Sequence, residues 1–130
     1  MDAKTSLKGR SFLTLKDFTP EEIGYFLDLA AKLKSDKKKG ITGNSLKGKN
    51  IALLFEKPST RTRLSFEAAM LELGGSVLGF SSADSSSASK GESVADTARV
   101  IECYADIIAM RHPKEGAPYV ASQYVNIPVI

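Results

Sequence analysis

The sequence predicts an α/β fold, with a parallel sheet of about four strands and helices on both faces. The first observation behind this is a recurrence of short apolar runs at residues 51–55, 76–80, 107–110 and 127–130. The second is that stretches with helical spacing separate these runs. Strands that alternate with helices need crossover connections, which make the strands parallel and cover both faces. The third is size: 130 residues, 42% hydrophobic and 25% charged, suffice for one ordinary globular domain with a real core. There is no internal repeat and no obvious linker, so one domain spanning residues 1–130 is expected.

In chain order, residues 11–17 form a lead-in without a clear assignment. Thr19-Pro20-Glu21-Glu22 starts a helix. Thr19 can cap it, Pro20 suits the first position, and Glu22 completes a capping box, the cap being worth about 1 kcal/mol. Ile23, Phe26, Leu27, Ala30 and Leu33 follow at helical spacing as one apolar face. Lys37 to Lys39 suit the negative helix end, and Gly40 stops it. Residues 43–50, Gly-Asn-Ser-Leu-Lys-Gly-Lys-Asn, have the glycine spacing of a nucleotide P-loop. Asn50 stands where a Ser or Thr is needed, however, and the segment precedes a strand instead of following one. It reads as a polar turn. Residues 51–55 are a buried strand and residues 62–73 a helix, ended by Gly74-Gly75. Residues 76–80 are a second strand. The loop at residues 81–91 is serine-rich, a flexible tip by composition. Ser93 to Asp96 cap another helix, which buries Val94, Ala98, Ile101 and Ala105. A third strand ends at Arg111-His112-Pro113. A short helix at about residues 115–124 places Ala117, Val120, Ala121 and Tyr124 on one side, before a fourth strand at residues 127–130.

Composition narrows the function classes. The formal charge is +3, with a basic excess in residues 1–50 concentrated at Lys32, Lys34 and Lys37–Lys39. No aromatic residues interleave those lysines, so a solvated helix end is expected rather than a nucleic-acid groove. No apolar run is long enough to span a membrane, and the N-terminus lacks the order of a signal peptide, so a cytoplasmic location is the default expectation. The one cysteine, Cys103, excludes an internal disulfide framework and a cysteine zinc cluster. Its place in an amphipathic helix predicts a buried thiol. No Ser/His/Asp or Cys/His set and no metal cluster are evident.

Chemistry concentrates at Phe55-Glu56-Lys57-Pro58-Ser59-Thr60-Arg61-Thr62-Arg63. A strand-to-helix joint offers backbone N–H groups and the positive end of a helix dipole at one spot. Ser59, Thr60 and Thr62 add hydroxyls, and Arg61 and Arg63 add planar cations suited to phosphate or carboxylate. A capped helix start with two solvated arginines is the alternative. Arg111 falls at the carboxyl end of the third strand, the edge at which open α/β sheets bind ligands. A ligand contact and a salt bridge at the sheet rim are both open there.

The segment Ser59-Thr60-Arg61-Thr62-Arg63 after Phe55-Glu56 resembles the carbamoyl-phosphate signature of the aspartate and ornithine carbamoyltransferases. Met110-Arg111-His112-Pro113-Lys114-Glu115-Gly116-Ala117 resembles the aspartate enzymes, as does the serine-rich loop with Lys90-Gly91-Glu92-Ser93. Residues up to about Arg63 look more like ornithine carbamoyltransferase, including Phe12-Leu13-Thr14-Leu15-Lys16-Asp17-Phe18-Thr19. This raises an engineered mosaic as one expectation and a natural member with mixed features as another. The resemblance implies that Ser59, Thr60, Arg61, Thr62 and Arg111 bind carbamoyl phosphate or phosphate, with Arg61 and Arg111 also catalytic, and a structural part is the alternative for Arg63. It implies that Ser86 and Lys90 enter the site of a neighbouring subunit in a homotrimer. No cofactor or metal is implied. The family's later His-Pro-x-Gln motif does not match His112-Pro113, so His112 reads as a strand-end residue. That motif and the acceptor amino-acid domain are expected beyond Ile130, which makes these residues the carbamoyl-phosphate domain, inactive alone. A non-catalytic anion-binding module is the competing reading.

Overall fold

The computed structural model describes residues 6–55, 59–80 and 93–130. A single 3-10 turn at Leu15–Asp17 precedes α1 (Pro20–Lys38), β1 (Asn50–Phe55), α2 (Thr60–Glu72), β2 (Ser76–Phe80), α3 (Val94–Glu102), β3 (Ile107–Arg111) and α4 (Ala117–Tyr124). The serine-rich loop, including Ser86 and Lys90, lies outside the described residues, as do Glu56, Lys57 and Pro58.

The three strands form a parallel sheet in the order β2-β1-β3. A fourth segment extends it, shorter than the strand expected at residues 127–130. Val129 bridges Ile108 in parallel, Ile130 N–H donates to the Ile108 carbonyl at 2.8 Å, and Met110 N–H donates to the Ile130 carbonyl at 2.8 Å. The lead-in holds this segment from its other side. Phe12 N–H donates to the Val129 carbonyl at 2.8 Å, and Val129 N–H donates to Ser11 Oγ at 3.0 Å.

β1 is the centre. Ile51 to Phe55 are each at most 2% exposed. Successive side chains of a strand point to opposite faces, and β1 divides accordingly. Ile51, Leu53 and Phe55 pack with Met70 of α2 and Ala109, while Ala52 and Leu54 pack with Ala98, Ile101, Ala105, Ile108, Ala121 and Val129. A strand buried on both faces reads as one continuous apolar run rather than an alternating one. The glycine breaks lie where the chain must turn: Gly40 and Gly74 adopt φ of +72° and +88°, a region that other residues rarely enter.

Three expectations need correction. The apolar face of α1 is covered only near its start. Ile23 and Phe26 are half-buried, whereas Leu27 is 67% exposed and Leu33 is 37% exposed. Phe26 meets Phe12 and Phe18 in an aromatic cluster, with centroids 5.2 and 5.5 Å away, and the rest of the helix runs clear of it. On α4 only Ala117 and Ala121 are buried; Val120 is exposed, and Tyr124 lies under the Arg99 guanidinium, 4.7 Å from its ring centre. Cys103 is exposed. It caps the C-terminal end of α3, two residues past Ile101 and so turned away from the buried face, and its Sγ donates weakly to the Arg99 carbonyl.

The start of α1 carries a charged knot. Glu22 Oε1 accepts from Thr19 N–H at 2.9 Å, and Thr19 Oγ1 accepts from Glu22 N–H at 3.2 Å, completing the expected capping box. Glu22 Oε2 also pairs with Arg10 and accepts from Ser6 Oγ, and Arg10 lies over the Phe18 ring. The Thr19 N–H, foremost, holds the Glu22 carboxyl below its ordinary range; burial opposes this, and Arg10 and Ser6 add to the lowering. A carboxyl with a lowered folded-state pKa stabilises the fold above its unfolded value, about 4.3, and loses that contribution as pH falls through the folded value. Glu22→Gln keeps a capping acceptor but removes the charge. It should melt below wild type at about pH 7, with the gap closing below about pH 4. A gap that stays constant into strong acid would show that the charge contributes nothing.

Candidate anion-binding site

The chain leaves β1 through α2 to place β2 on one side, then crosses through α3 to place β3 on the other side. The order of connection therefore reverses between β1 and β3. Open α/β sheets bind ligands at such a switch point, outside the carboxyl ends of the strands. Phe55 and Arg111, the last residues of β1 and β3, lie directly opposite each other in register. α2 begins at Thr60, just after β1. Ser59, Thr60, Arg61 and Thr62 thus share one sheet edge with Arg111. The segment that resembles a P-loop precedes β1 and lies at the opposite edge. A cavity of about 510 Å³ lies there too, bordered by Lys37, Ile41, Asn44 and Glu72, well away from the arginines.

The start of α2 differs from those of α1 and α3. Ser59 occupies the cap position in extended backbone (φ −157°, ψ 91°), but its side chain makes no capping hydrogen bond, and no acidic residue lies in the first turn. α1 has Thr19 as its cap with Glu21 and Glu22 in its first turn; α3 has Ser93 accepting from Asp96 N–H at 3.1 Å. The first turn of α2 instead carries Arg61, which is exposed, as is Thr60; Ser59 and Thr62 are half-buried. A helix start carries partial positive charge, so a neighbouring cation is unfavourable unless an anion joins it.

Arg63 is engaged elsewhere. Its Nε donates to Glu67 Oε1 at 3.1 Å, one turn along α2. Its Nη2 lies so close to β2 that a Cβ placed on Gly79 would come within 3.3 Å of it. Glu67 and Gly79 thus hold Arg63 between α2 and β2. Neither was singled out from sequence, although a glutamate four residues after an arginine is a readable helical pair. Phe55 and Phe66, with centroids 6.5 Å apart, brace the same joint. Arg111 is exposed at the end of β3. His112, half-buried beside it, accepts from Lys114 N–H at its Nδ1, 3.0 Å away. Among the described residues no cluster of His, Cys, Asp and Glu is placed to hold a metal ion, and no helix is long and apolar enough to cross a membrane.

These features place a bare, cationic helix start at the switch point of a parallel sheet. The family profile described as "Aspartate/ornithine carbamoyltransferase, carbamoyl-P binding domain" matches residues 10–130, and the chain belongs to this family. It is 59% identical over 124 residues to the aspartate carbamoyltransferase catalytic subunit of Clostridium kluyveri, covering 95% of this chain and 40% of that one. Against the Lachnoclostridium phytofermentans catalytic subunit it is 67% identical over 114 residues, 88% of this chain and 36% of that one. The chain thus spans about 40% of the length of these curated relatives. Among solved structures, aspartate transcarbamoylase from Trypanosoma cruzi, in complex with carbamoyl aspartate and phosphate, superposes with a TM-score of 0.88. It is 38% identical, over 95% of this chain and 38% of that one. Ornithine carbamoyltransferase from Pyrococcus furiosus superposes with a TM-score of 0.89 at 43% identity, over 95% of this chain and 39% of that one.

Proposed function

We propose that residues 1–130 are the carbamoyl-phosphate-binding half of an amino-acid carbamoyltransferase, with the acceptor amino-acid domain lying outside these residues. The observation that carries this is the bare, cationic start of α2 at the same sheet edge as Arg111. Ser59, Thr60 and Thr62 bind the phosphate with the helix N–H groups. Arg61 neutralises charge that develops on the leaving phosphate, and Arg111 holds carbonyl and phosphate oxygens. The acceptor amine attacks the carbonyl carbon directly, forming the C–N bond. The C–O bond to phosphate then breaks as the amine loses a proton. No enzyme nucleophile is needed; positioning and electrostatic stabilisation of the tetrahedral intermediate do the work.

Aspartate is the favoured acceptor, since one aspartate-type relative matches this chain on both sides of Arg63. Ser86 and Lys90 suit that choice, because a hydroxyl and a cation supplied to a neighbour's site meet an anionic ligand. The likeness to the Pyrococcus furiosus ornithine enzyme, 43% identical over 95% of this chain, favours ornithine as a second reading of the acceptor. The protein acts in the cytoplasm as a homotrimer on this proposal. A non-catalytic anion-binding module is the reading it competes with.

Three outcomes test the proposal. Arg61→Ala should weaken binding of carbamoyl phosphate by roughly 1.5–3 kcal/mol, the worth of a charge-assisted hydrogen bond, while Arg63→Ala chiefly lowers thermal stability. Equal affinity in Arg61→Ala and wild type, measured by calorimetric titration, would remove the assignment. The 130-residue chain should not carbamoylate either amino acid alone, because about 7–11 kcal/mol of proximity and orientation is missing. Fusion to an aspartate-type acceptor domain should yield activity that Lys90→Ala lowers; turnover by the chain alone would contradict this. Sedimentation should show self-association up to a trimer, weakened relative to a two-domain protein, and a monomer at every concentration would count against the trimer.

A further inference from the structure

We infer that His112 is a positioning residue for Arg111: its imidazole closes the turn after β3 and thereby sets the direction from which Arg111 meets an anion. The inference deepens the proposed function and rests on that reading. Lys114 N–H donates to His112 Nδ1 at 3.0 Å. A backbone amide can only donate, so Nδ1 accepts through its lone pair. An acceptor bound to the amide two residues onward is the arrangement that Asn and Asp side chains use to close turns. Here Nδ1 occupies the place of an asparagine Oδ1.

The neighbouring residues reinforce the turn. Pro113 confines the preceding residue to extended backbone and has no N–H of its own to compete for the imidazole. The Lys114 carbonyl accepts from Ala117 N–H at 3.2 Å, and Ala117, the first residue of α4, is 5% exposed. Arg111 is paired in register with Phe55 at the other end. The exposed arginine therefore sits between a fixed strand and a turn that the imidazole ties to a buried helix start. Its rotamers depend on that backbone. A backbone ordered in advance leaves less for the ligand to order on binding.

The test titrates the 130-residue chain with inorganic phosphate at one fixed pH, with thermal unfolding followed in parallel. His112→Ala should weaken binding about 2- to 10-fold, the effect of one hydrogen bond of ordinary net worth. His112→Asn restores the acceptor and should bind within about twofold of wild type. On an Arg111→Ala background, His112→Ala should cause no further loss, since residues that act through one another are not additive. An equal loss on that background, or an asparagine variant as weak as alanine, overturns the inference. Should the alanine variant fail to fold, the affinity of the asparagine variant decides. Wild type that binds while His112→Ala is unaffected sinks this inference alone. Wild type that binds no phosphate sinks the proposed function and this inference with it.

Discussion

The structure depends on the burial of β1 between two different layers. One strand supplies side chains to both cores, with Ile51, Leu53 and Phe55 against α2 and Ala52 and Leu54 against α3, β3 and Val129. A one-residue slip would exchange every side chain between the faces. Neither layer would accept the exchange, since one is built around Met70 and the other around small residues such as Ala98, Ala105 and Ala121. The same constraint fixes the site. With β1 central and its register set, Phe55 must face Arg111, and α2 must begin beside them. The position of the cations is thus a consequence of core packing.

The helix starts show where stability has been set aside. α1 and α3 follow the rules for a stable start, with capping side chains and acidic residues in the first turn. α4 has no side-chain cap either, but its start carries a proline and no cation in the first turn. α2 lacks the cap and places Arg61 against the positive helix end. A missing cap costs about 1 kcal/mol, and a cation at this end costs a further few tenths. Local rules tend to be broken at functional sites, and a bound anion reverses the sign of both effects. That contrast within one chain supports the anion reading independently of any likeness to other proteins.

What could be read from sequence was what is determined locally. The capping box at Thr19 and Glu22, the Ser93 cap, the positive-φ stops at Gly40 and Gly74 and the run at residues 51–55 depend on near neighbours, and they were legible. Burial was less so, because periodicity shows which residues share a face but not whether anything covers it. Leu27 and Leu33 share a face with Phe26, yet only Phe26 reaches the Phe12–Phe18 cluster. Cys103 escapes burial because the buried face of α3, set by Thr97, Ala98 and Ile101, turns away from it. Of the candidate site, Ser59 to Thr62 and Arg111 were legible as a motif and a strand end. The separate engagement of Arg63 required the position of Gly79, and the His112 contact with the Lys114 amide required the conformation of its turn.

Two neighbouring arginines therefore take different parts. Arg63 is neutralised within the helix by Glu67 and wedged against β2, so its charge is committed before any ligand arrives. Arg61, two residues earlier, falls on a different side of the helix and is exposed. Helical geometry makes this division unavoidable, because residues at i and i+2 diverge while residues at i and i+4 meet. On the proposed reading, the first arginine supplies charge to the reaction and the second supplies rigidity to the helix that carries it. An electrostatic site gains most from donors that need no reorganisation when the transition state forms. The Arg63–Glu67 pair, the Phe55–Phe66 contact and the His112 turn all constrain the backbone from which the candidate site residues project. On the proposed reading, rigidity around the anion does not by itself bring an amine to the carbonyl, so binding and reaction are separable, and the first can reside in these residues alone.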